Sequence, residues 1–409
     1  MKKRKIAAVI CEYNPFHAGH ASLLTQLRQA EGEETAIVAI MSGNYTQRGE
    51  PALFPKHIRA ACAIHGGADL VLELPFPYSC SGAERFANAG VHIAHALGGV
   101  DLLFFGSECG DTEALTHLAE KLENPAFLDA FFAASESTNI GCAQKTEVIY
   151  RSVYGEKDAY LSLLREPNNL LGVEYIRALM RKNSSIRPLA LSRIGMRHDT
   201  QDTPCRDAFT AASAARAALL QEQECECHDA LSRLPQATVP ILRQAMENGQ
   251  ILSSDNKWLS YCLLYYRHCD REKLRLCDSM SGGLGDRICH AAMTCRTPSD
   301  FFAALRSKKH TDAYLRRALL YGVFNIERAS LNAPPTYTQI LAMNARGREV
   351  LAYARKHRAI PIFNRPSEIN HLPDHEKVSL RADSVYCALL EQPSLPSDLL
   401  RYQPYRENT

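Results

Sequence analysis

The N-terminal quarter of the chain alternates short apolar runs with segments of helical spacing. The apolar runs predict strands at 5–11, 35–41, 68–74 and 100–106. The segments between them predict helices at 21–31, 55–65 and 83–97, with Pro55 at a favourable first-turn position. Continuous apolar runs separated by helices are typical of a parallel sheet that is covered on both faces. We therefore expect a doubly wound α/β core whose ligands bind at the carboxyl ends of the strands.

The alternation fades after about residue 110 and stops at about residue 222. Residues 111–165 have mainly helical spacing, 188–194 resembles one more strand, and 209–221 is an Ala-rich helical segment. Beyond them, helical spacing recurs at 237–247, 258–267, 312–322 and 347–356, with a possible last strand at 359–363. The pattern predicts two domains, an α/β domain over 1–220 and a mostly helical domain over 221–409.

Composition narrows the class of protein. Apolar residues make up 46% of the chain, charged residues 22%, and the formal net charge is +2, so no global charge excess points to nucleic acid. The chain shows no signal peptide, and no apolar run approaches the length of a membrane span. The 14 cysteines are scattered, which favours free thiols in the cytoplasm. The tight cluster Cys225-Glu226-Cys227-His228 lacks a second ligand pair, so no metal site is predicted.

The segment His17-Ala18-Gly19-His20 follows the first predicted strand. A strand-to-helix turn presents backbone N–H groups and the positive end of a helix dipole to an anion. Gly19 would let a phosphate approach the backbone, and His17 and His20 can donate hydrogen bonds to its oxygens as charge builds. The alternative is a pair of ordinary histidines that cap a helix. The position after strand one favours an anion site, and ATP is the expected ligand.

A second candidate segment runs from Phe209 to Arg216. Small residues, Ser213 and then Arg216 can open a helix, with the hydroxyl and guanidinium holding the β and γ phosphates. The alternative is a plain Ala-rich helix.

Three further positions are candidates for nucleotide contacts, namely Gly106 and Arg193 at the ends of predicted strands and Asn168 after Pro167. Gly106 would leave room for a base or ribose, Asn168 could bind an adenine edge, and Arg193 could pair with a phosphate. Their alternatives are a turn glycine, a turn asparagine and a surface ion pair. The loop Gln47-Arg48-Gly49-Glu50 could bind an acid or RNA, or be a solvated loop. For RNA, the best basic candidates are Arg306-Ser307-Lys308-Lys309-His310 and Arg316-Arg317, although such runs are usually solvated.

The two phosphate-binding candidates resemble the HxGH and ISSTxxR signatures of the HIGH-type nucleotidyltransferase superfamily. The HxGH match is complete, whereas the second motif has Ala where a Ser and a Thr would stand. Longer stretches are similar to the bacterial tRNA(Met) cytidine acetate ligase family. These are 12–20, 41–51, 69–75, 81–87, 105–108, 167–172 and 192–195.

The resemblance implies a Rossmann-like nucleotidyltransferase core and a C-terminal domain that binds tRNA. It implies that acetate is activated with ATP, accompanied by Mg²⁺, to acetyl-adenylate and pyrophosphate. The acetyl group would then pass to N4 of the wobble cytidine of elongator tRNA(Met). Acetate and this tRNA are the implied partners, with no membrane and no DNA. Two departures, Arg197 and Gly285-Asp286, stand where relatives carry an aromatic residue and Glu-Asn.

The family's ATP contacts carry over to one continuous segment and to scattered positions. The segment comprises Ile10, Cys11, Glu12, Tyr13, Asn14, Pro15, Phe16, His17, Ala18, Gly19, His20, Ala21, Ser22 and Leu23. The scattered positions are Gly106, Arg193, and either Asn168 or Asn169. Two rival functions stay open. One is an adenylyl- or cytidylyltransferase that acts on a small metabolite, and the other is a non-catalytic RNA-binding protein on the same scaffold.

Overall fold

The computed structural model describes residues 4–134, 142–193, 212–222 and 229–407. Five parallel strands of the N-terminal half form the centre of the fold, in the order β5-β4-β1-β2-β3. They are β1 Ile6–Cys11, β2 Ala36–Ser42, β3 Leu70–Leu74, β4 Leu102–Ser107 and β5 Arg187–Ser192. The doubly wound, Rossmann-like prediction is confirmed by this strand order.

Helices cover both faces of the sheet because alternate strand residues point to opposite sides. On one face, Val9, Ile37 and Phe104 pack with α1 (Ala18–Glu31) and α2 (Lys56–His65). On the other face, the partners are α3 (Ala83–Leu97), α4 (Thr112–Glu123), α5 (Pro125–Ala133), α6 (Cys142–Tyr154) and α7 (Pro167–Arg181). β1 to β4 are buried on both sides, which explains why they are continuously apolar in sequence.

The C-terminal half is mainly helical. Its helices are α8 Ala212–Glu222, α9 Asp229–Ser232, α10 Val239–Glu247, α11 Asp255–His268, α12 Arg271–Leu276, α13 Leu284–Thr294, α14 Pro298–Leu305, α15 Asp312–Phe324, α16 Arg328–Asn332, α17 Ala345–Ala354, α18 Pro366–Ile369, α19 Val378–Leu389 and α20 Pro396–Arg401. Within the described ranges, no helix has the length and apolar character to cross a membrane.

Three strands from this half extend the N-terminal sheet. β6 (Thr338–Met343) pairs antiparallel with β3, and both β7 (Ile362–Phe363) and β8 (Tyr405–Arg406) pair with β6. The sequence pattern predicted a strand only near β7. β6 is fully buried, and a short apolar run of this kind cannot be told from a buried helical segment by periodicity. The sheet is therefore completed by residues from both predicted domains.

Candidate active site

The candidate site lies where the strand order of the sheet reverses. From this point the chain adds β2 and β3 on one side of β1, and β4 and β5 on the other. β1 is hydrogen-bonded to β2 on one side and to β4 on the other, so the crevice outside their carboxyl ends is a topological switch point. Three predicted site features reach this edge. The N-terminus of α1 follows β1, Gly106 lies near the end of β4, and Arg193 directly follows β5.

His17 and His20 form a reciprocal cap at the start of α1. The backbone N–H of Gly19 donates to His17 Nδ1 at 3.0 Å, and the backbone N–H of His17 donates to His20 Nδ1 at 3.3 Å. The rings are stacked, with centroids 3.7 Å apart. Because each Nδ1 accepts a hydrogen bond, each neutral ring carries its proton on Nε2. This cap begins the helix at Ala18, three residues before the position that apolar spacing predicted.

Both imidazoles are held neutral. Burial, assisted by the nearby Arg193 guanidinium, lowers the pKa of His17 to about 4. Burial, together with His17 and Arg193, holds the pKa of His20 well below its usual value. At neutral pH the pair therefore offers two neutral N–H donors. The functional and capping interpretations of these histidines are compatible, because the cap uses Nδ1 and leaves Nε2 as the donor.

Two glycines keep this part of the crevice open. A Cβ on Gly19 would lie 2.9 Å from His17 Cε1, so only glycine lets the ring fold back over the helix start. A Cβ on Gly106 would lie 3.1 Å from Arg193 Cγ and 3.7 Å from Leu23 Cδ1. Gly106, Arg193 and Leu23 are thus brought together, as the predicted ATP site requires.

The connection between β1 and α1 is a packed support for the histidines. Tyr13 has a φ of 49°, and the Asn14–Pro15 peptide is cis. The Tyr13 ring centroid lies 4.8 Å from those of both Phe16 and His20. Asn14 Oδ1 accepts a 2.7 Å hydrogen bond from the N–H of Leu53. These contacts fix the His20 ring and the start of α1.

The remaining residues of the predicted segment lie in the elements on either side. Ile10 and Cys11 end β1, whereas Ala18, Ala21, Ser22 and Leu23 form the first turns of α1. Ile10 packs so closely on α3 that a Cβ on Gly90 would lie 2.5 Å from Ile10 Cδ1.

Arg59 is a structural residue that the sequence interpretation missed. It is 1% exposed, and its guanidinium donates to the carbonyls of Glu12, Ser42, Gly43 and Phe54. It therefore ties the carboxyl ends of β1 and β2 together below the site. Its signal in the sequence was a charged residue in the middle of the apolar face of α2.

Asn168 and Asn169 have different positions. Asn169 is 1% exposed, and its Oδ1 accepts from the N–H groups of Glu108 and Cys109 at 3.0 and 3.2 Å. Asn168 is half-buried, and its Nδ2 donates to Glu108 Oε1 at 2.5 Å. The Glu108 carboxylate also accepts the backbone N–H of both asparagines at the start of α7. Asn169 fastens α7 to the β4 loop, so Asn168 is the better candidate to face a nucleotide.

The second phosphate-binding candidate lies apart from the histidine pair in its contacts. Arg216 is buried, donates to the Pro51 carbonyl at 3.1 Å and forms an ion pair with Asp255. Among the described residues, none of its hydrogen bonds or ion pairs reaches His17 or His20. The Ser213 side chain and residues 209–211 lie outside the described residues. The role of this segment in phosphate binding stays a prediction.

A buried ion cluster lies beside the loop after β2. Lys56 Nζ is 2.8 Å from both carboxylate oxygens of Glu73 and 2.6 Å from Asp383 Oδ2. Asn44 Nδ2 donates to Asp383 Oδ1 at 2.8 Å, and its Oδ1 accepts the Lys56 N–H. Asp383 comes from α19, 327 positions after Lys56. No local sequence pattern could have predicted this pairing.

The described part of the chain contains no cluster of three or more His, Cys, Asp or Glu side chains arranged to hold a metal ion. The Cys225-Cys227-His228 cluster lies outside that part.

Known proteins resemble the chain over nearly its full length. The model of the HIGH Nucleotidyl Transferase family matches residues 4–399. The tRNA(Met) cytidine acetate ligase of Syntrophotalea carbinolica is 34% identical, covering 89% of this chain and 86% of the relative. The enzyme of the same name from Halothermothrix orenii is 32% identical, covering 91% and 88%. The crystal structure of Thermotoga maritima TmcAL bound with alpha-thio ATP has a TM-score of 0.87 at 28% identity, covering 99% of this chain and all of the other.

A doubly wound core with a histidine-capped helix at its switch point is the arrangement of a HIGH-type nucleotidyltransferase. The chain belongs to the HIGH Nucleotidyl Transferase family and, within it, to the family of the tRNA(Met) cytidine acetate ligases.

Proposed function

We propose that the protein activates acetate with ATP and transfers the acetyl group to N4 of the wobble cytidine of elongator tRNA(Met). The observation that carries the proposal is the neutral His17–His20 pair at the start of α1, in a chain whose relatives bear the name of this activity. A tRNA substrate makes the cytoplasm the expected compartment. Residues 1–220 would carry the chemistry, and 221–409 would bind most of the tRNA.

In the first step, an acetate oxygen attacks the α-phosphorus of ATP, and the bond to the β-phosphate oxygen breaks. Pyrophosphate leaves with the electron pair, so negative charge grows on oxygens beside the α1 N-terminus. The Nε2–H groups of His17 and His20 and the Arg193 guanidinium are the proposed donors to that charge. Neutral donors suit this role, because they stabilise the transition state without a proton transfer.

The proposed ATP site comprises residues 10–23, Gly106, Asn168 and Arg193, with Ser213 and Arg216 as weaker candidates. Mg²⁺ bound with ATP would supply further neutralisation of the phosphate charge. Two carboxylates of the crevice are already engaged, Glu12 by the Gln47 N–H and Glu108 by the α7 N-terminus. Mg²⁺ would therefore be held mainly by the phosphate oxygens and water.

In the second step, the cytidine N4 attacks the acetyl carbon, the carbon–oxygen bond to the phosphate breaks, and AMP leaves. The amine loses its extra proton to solvent. The cytidine must be splayed out of its loop to reach a carbon that lies at the sheet edge. No protein nucleophile is needed for either step.

The test is an incubation of the purified protein with ATP, Mg²⁺ and a panel of carboxylic acids, with and without bulk tRNA. Acetate-dependent release of pyrophosphate and N4-acetylcytidine in the digested tRNA are the expected results. Pyrophosphate release that ignores acetate would contradict the ligase proposal and favour a transferase for another small substrate. Acetate-dependent release of pyrophosphate without N4-acetylcytidine in the tRNA would support only the first step of the proposed reaction.

A further inference from the structure

The loop after β2 closes into a tight turn that presents Arg48. The Thr46 N–H donates to the Glu50 carbonyl at 2.9 Å, and the Gly49 N–H donates to the Thr46 carbonyl at 2.8 Å. Tyr45 and Pro51 form an antiparallel bridge at the base of the turn. We name residues 46–50 the Arg48 turn. It follows β2, so it stands at the same carboxyl edge of the sheet as the histidine pair.

The Arg48 turn is held from the nucleotide side by Glu12. Glu12 Oε1 accepts the Gln47 N–H at 2.5 Å, and Glu12 itself lies in the segment that leads to His17. The turn is thus hydrogen-bonded to the connection that supports the proposed ATP site.

The same turn is held from the helical half by α15. Arg317 Nη1 donates to the Gln47 carbonyl at 3.0 Å, and Arg316 pairs with Glu50. Gly49 has a φ of 77°, and a Cβ there would lie 2.6 Å from the Arg317 backbone nitrogen. Arg316 and Arg317, candidates for RNA binding in the sequence, therefore serve at least to clamp this turn.

These clamps leave Arg48 as an exposed cation on a fixed support. The carboxylates of the turn and of the connection beside it have other partners, since Glu50 pairs with Arg316 and Glu12 accepts the Gln47 N–H. Within the described parts of the chain, no hydrogen bond or ion pair of Arg48 is found. Because the backbone of the turn is already ordered, a ligand of Arg48 would not have to order it.

We propose that Arg48 binds a backbone phosphate of the RNA substrate next to the cytidine that receives the acetyl group. The inference rests on the proposed function. The acceptor amine has to reach the acetyl carbon near the α1 N-terminus, so the phosphates that flank the cytidine must pass over this edge. An arginine fork matches a phosphate with two hydrogen bonds.

A small anion is a weaker match for this position. An exposed pair between one arginine and one carboxylate contributes only about 0–1 kcal/mol in water. A polyanion gains from many such contacts together and from release of its counterions. The buried donors of the crevice are better placed for acetate and for the phosphates of ATP.

The experiment compares the full-length wild type with the R48A, R48K and R48E variants. The first readout is acetate-dependent ATP–pyrophosphate exchange without RNA, and the second is kcat/KM for unmodified tRNA(Met) over a range of salt concentrations. R48A should exchange within about twofold of wild type, because the exposed side chain takes no part in activation. Its kcat/KM for tRNA should fall about tenfold, the equivalent of one good contact. The slope against log salt should shrink by about 1.

R48K should recover part of the loss, and R48E should lose more than R48A. The matched control is Arg187→Ala, an exposed arginine that begins β5 at the amino end of the parallel strands, opposite the site. This variant should resemble wild type in both readouts.

Loss of exchange in R48A with an unchanged KM for tRNA would overturn the inference and assign Arg48 to a small anion. Tenfold loss in R187A as well would overturn it too, since the effect would then be general. An R48A enzyme that matches wild type with tRNA would remove this inference alone. A wild type that performs exchange but never acetylates tRNA would remove the proposed function together with it.

Discussion

Two polar clusters lie near the carboxyl edge of the sheet, and they are built in opposite ways. The Lys56–Glu73–Asp383 cluster is charged, and Lys56 pairs with both carboxylates. The His17–His20 pair is neutral, and among its ring nitrogens only the Nδ1 atoms have hydrogen bonds within the described residues. The first cluster joins distant parts of the chain. The second retains donors for a ligand. Whether a polar side chain already has partners within the protein thus separates structural groups from ligand-binding groups better than its burial does.

The largest effect is expected where the charged cluster is broken. Lys56→Met leaves Glu73 and Asp383 buried without their cation, and such losses cost about 3–5 kcal/mol of unfolding free energy. Urea unfolding of the variant and the wild type measures this loss of unfolding free energy. The matched control is Lys377→Met, which removes an exposed pair with Asp374 and should cost under about 1 kcal/mol. Equal losses of unfolding free energy in both variants would show that the buried cluster stabilises the fold no more than an exposed ion pair does.

Substitution of a histidine of the pair should lower the activity strongly and the stability only slightly. His17→Asn keeps a good helix cap and removes the Nε2–H donor, so acetate-dependent pyrophosphate release should fall by about 10²–10³. Thermal unfolding should stay close to wild type. His17→Ala removes the cap as well and should cost about 1 kcal/mol more. Wild-type pyrophosphate release by the Asn variant would reduce His17 to a capping residue.

A third variant tests the packing that supports the pair. A Cβ on Gly66 would lie 2.2 Å from Phe16 Cζ, so Gly66→Ala should push Phe16 toward Tyr13 and His20. Overpacking of this kind typically costs about 1–3 kcal/mol, and weaker ATP binding should accompany it. Scanning calorimetry gives the change in stability, and titration calorimetry gives the change in affinity for ATP. Gly285→Ala, whose Cβ meets nothing closer than 3.5 Å, is the control and should be neutral or mildly stabilising.

The smallest effect is a change in pH dependence. His17 has an ordinary pKa of 6.5 and a folded value of about 4, so between these values the unfolded chain holds a proton that the folded chain lacks. Stability should therefore be full above pH 6.5 and fall as the pH drops toward 4. His17→Asn should reduce the slope of the unfolding free energy against pH in this range by the equivalent of up to about one proton. Unfolding at several pH values measures that slope. An unchanged slope would mean that His17 is not held neutral by the fold.

Local patterns were sufficient for the parts of the protein that depend on local order. The alternation of apolar runs and helices predicted β1 to β4, and the position of His17-Ala18-Gly19-His20 after β1 predicted the edge where the histidines lie. Gly106 and Arg193 also reach that edge, since Gly106 lies near the end of β4 and Arg193 follows β5 of the same parallel sheet.

What escaped prediction depends on contacts between distant residues. β6 has the same apolar character as a buried helix, and its strand partner β3 precedes it by more than 250 positions. The pairing of Lys56 with Asp383 has no local signal. The contacts of Arg216 with Pro51 and Asp255 likewise depend on how the halves pack, which the Ala-rich spacing of α8 does not encode.

The antiparallel strand β6 also affects how the chain can fold as it is made. Until Met343 has left the ribosome, β3 has a bare edge, and Asp69 lacks the Asn344 side chain that donates to it at 2.9 Å. An unpaired strand edge is a template for aggregation. A fragment that stops at residue 220 would keep the histidine turn but leave that edge exposed. Expression of the nucleotide half by itself should therefore yield aggregates unless the segment that carries β6 is supplied with it.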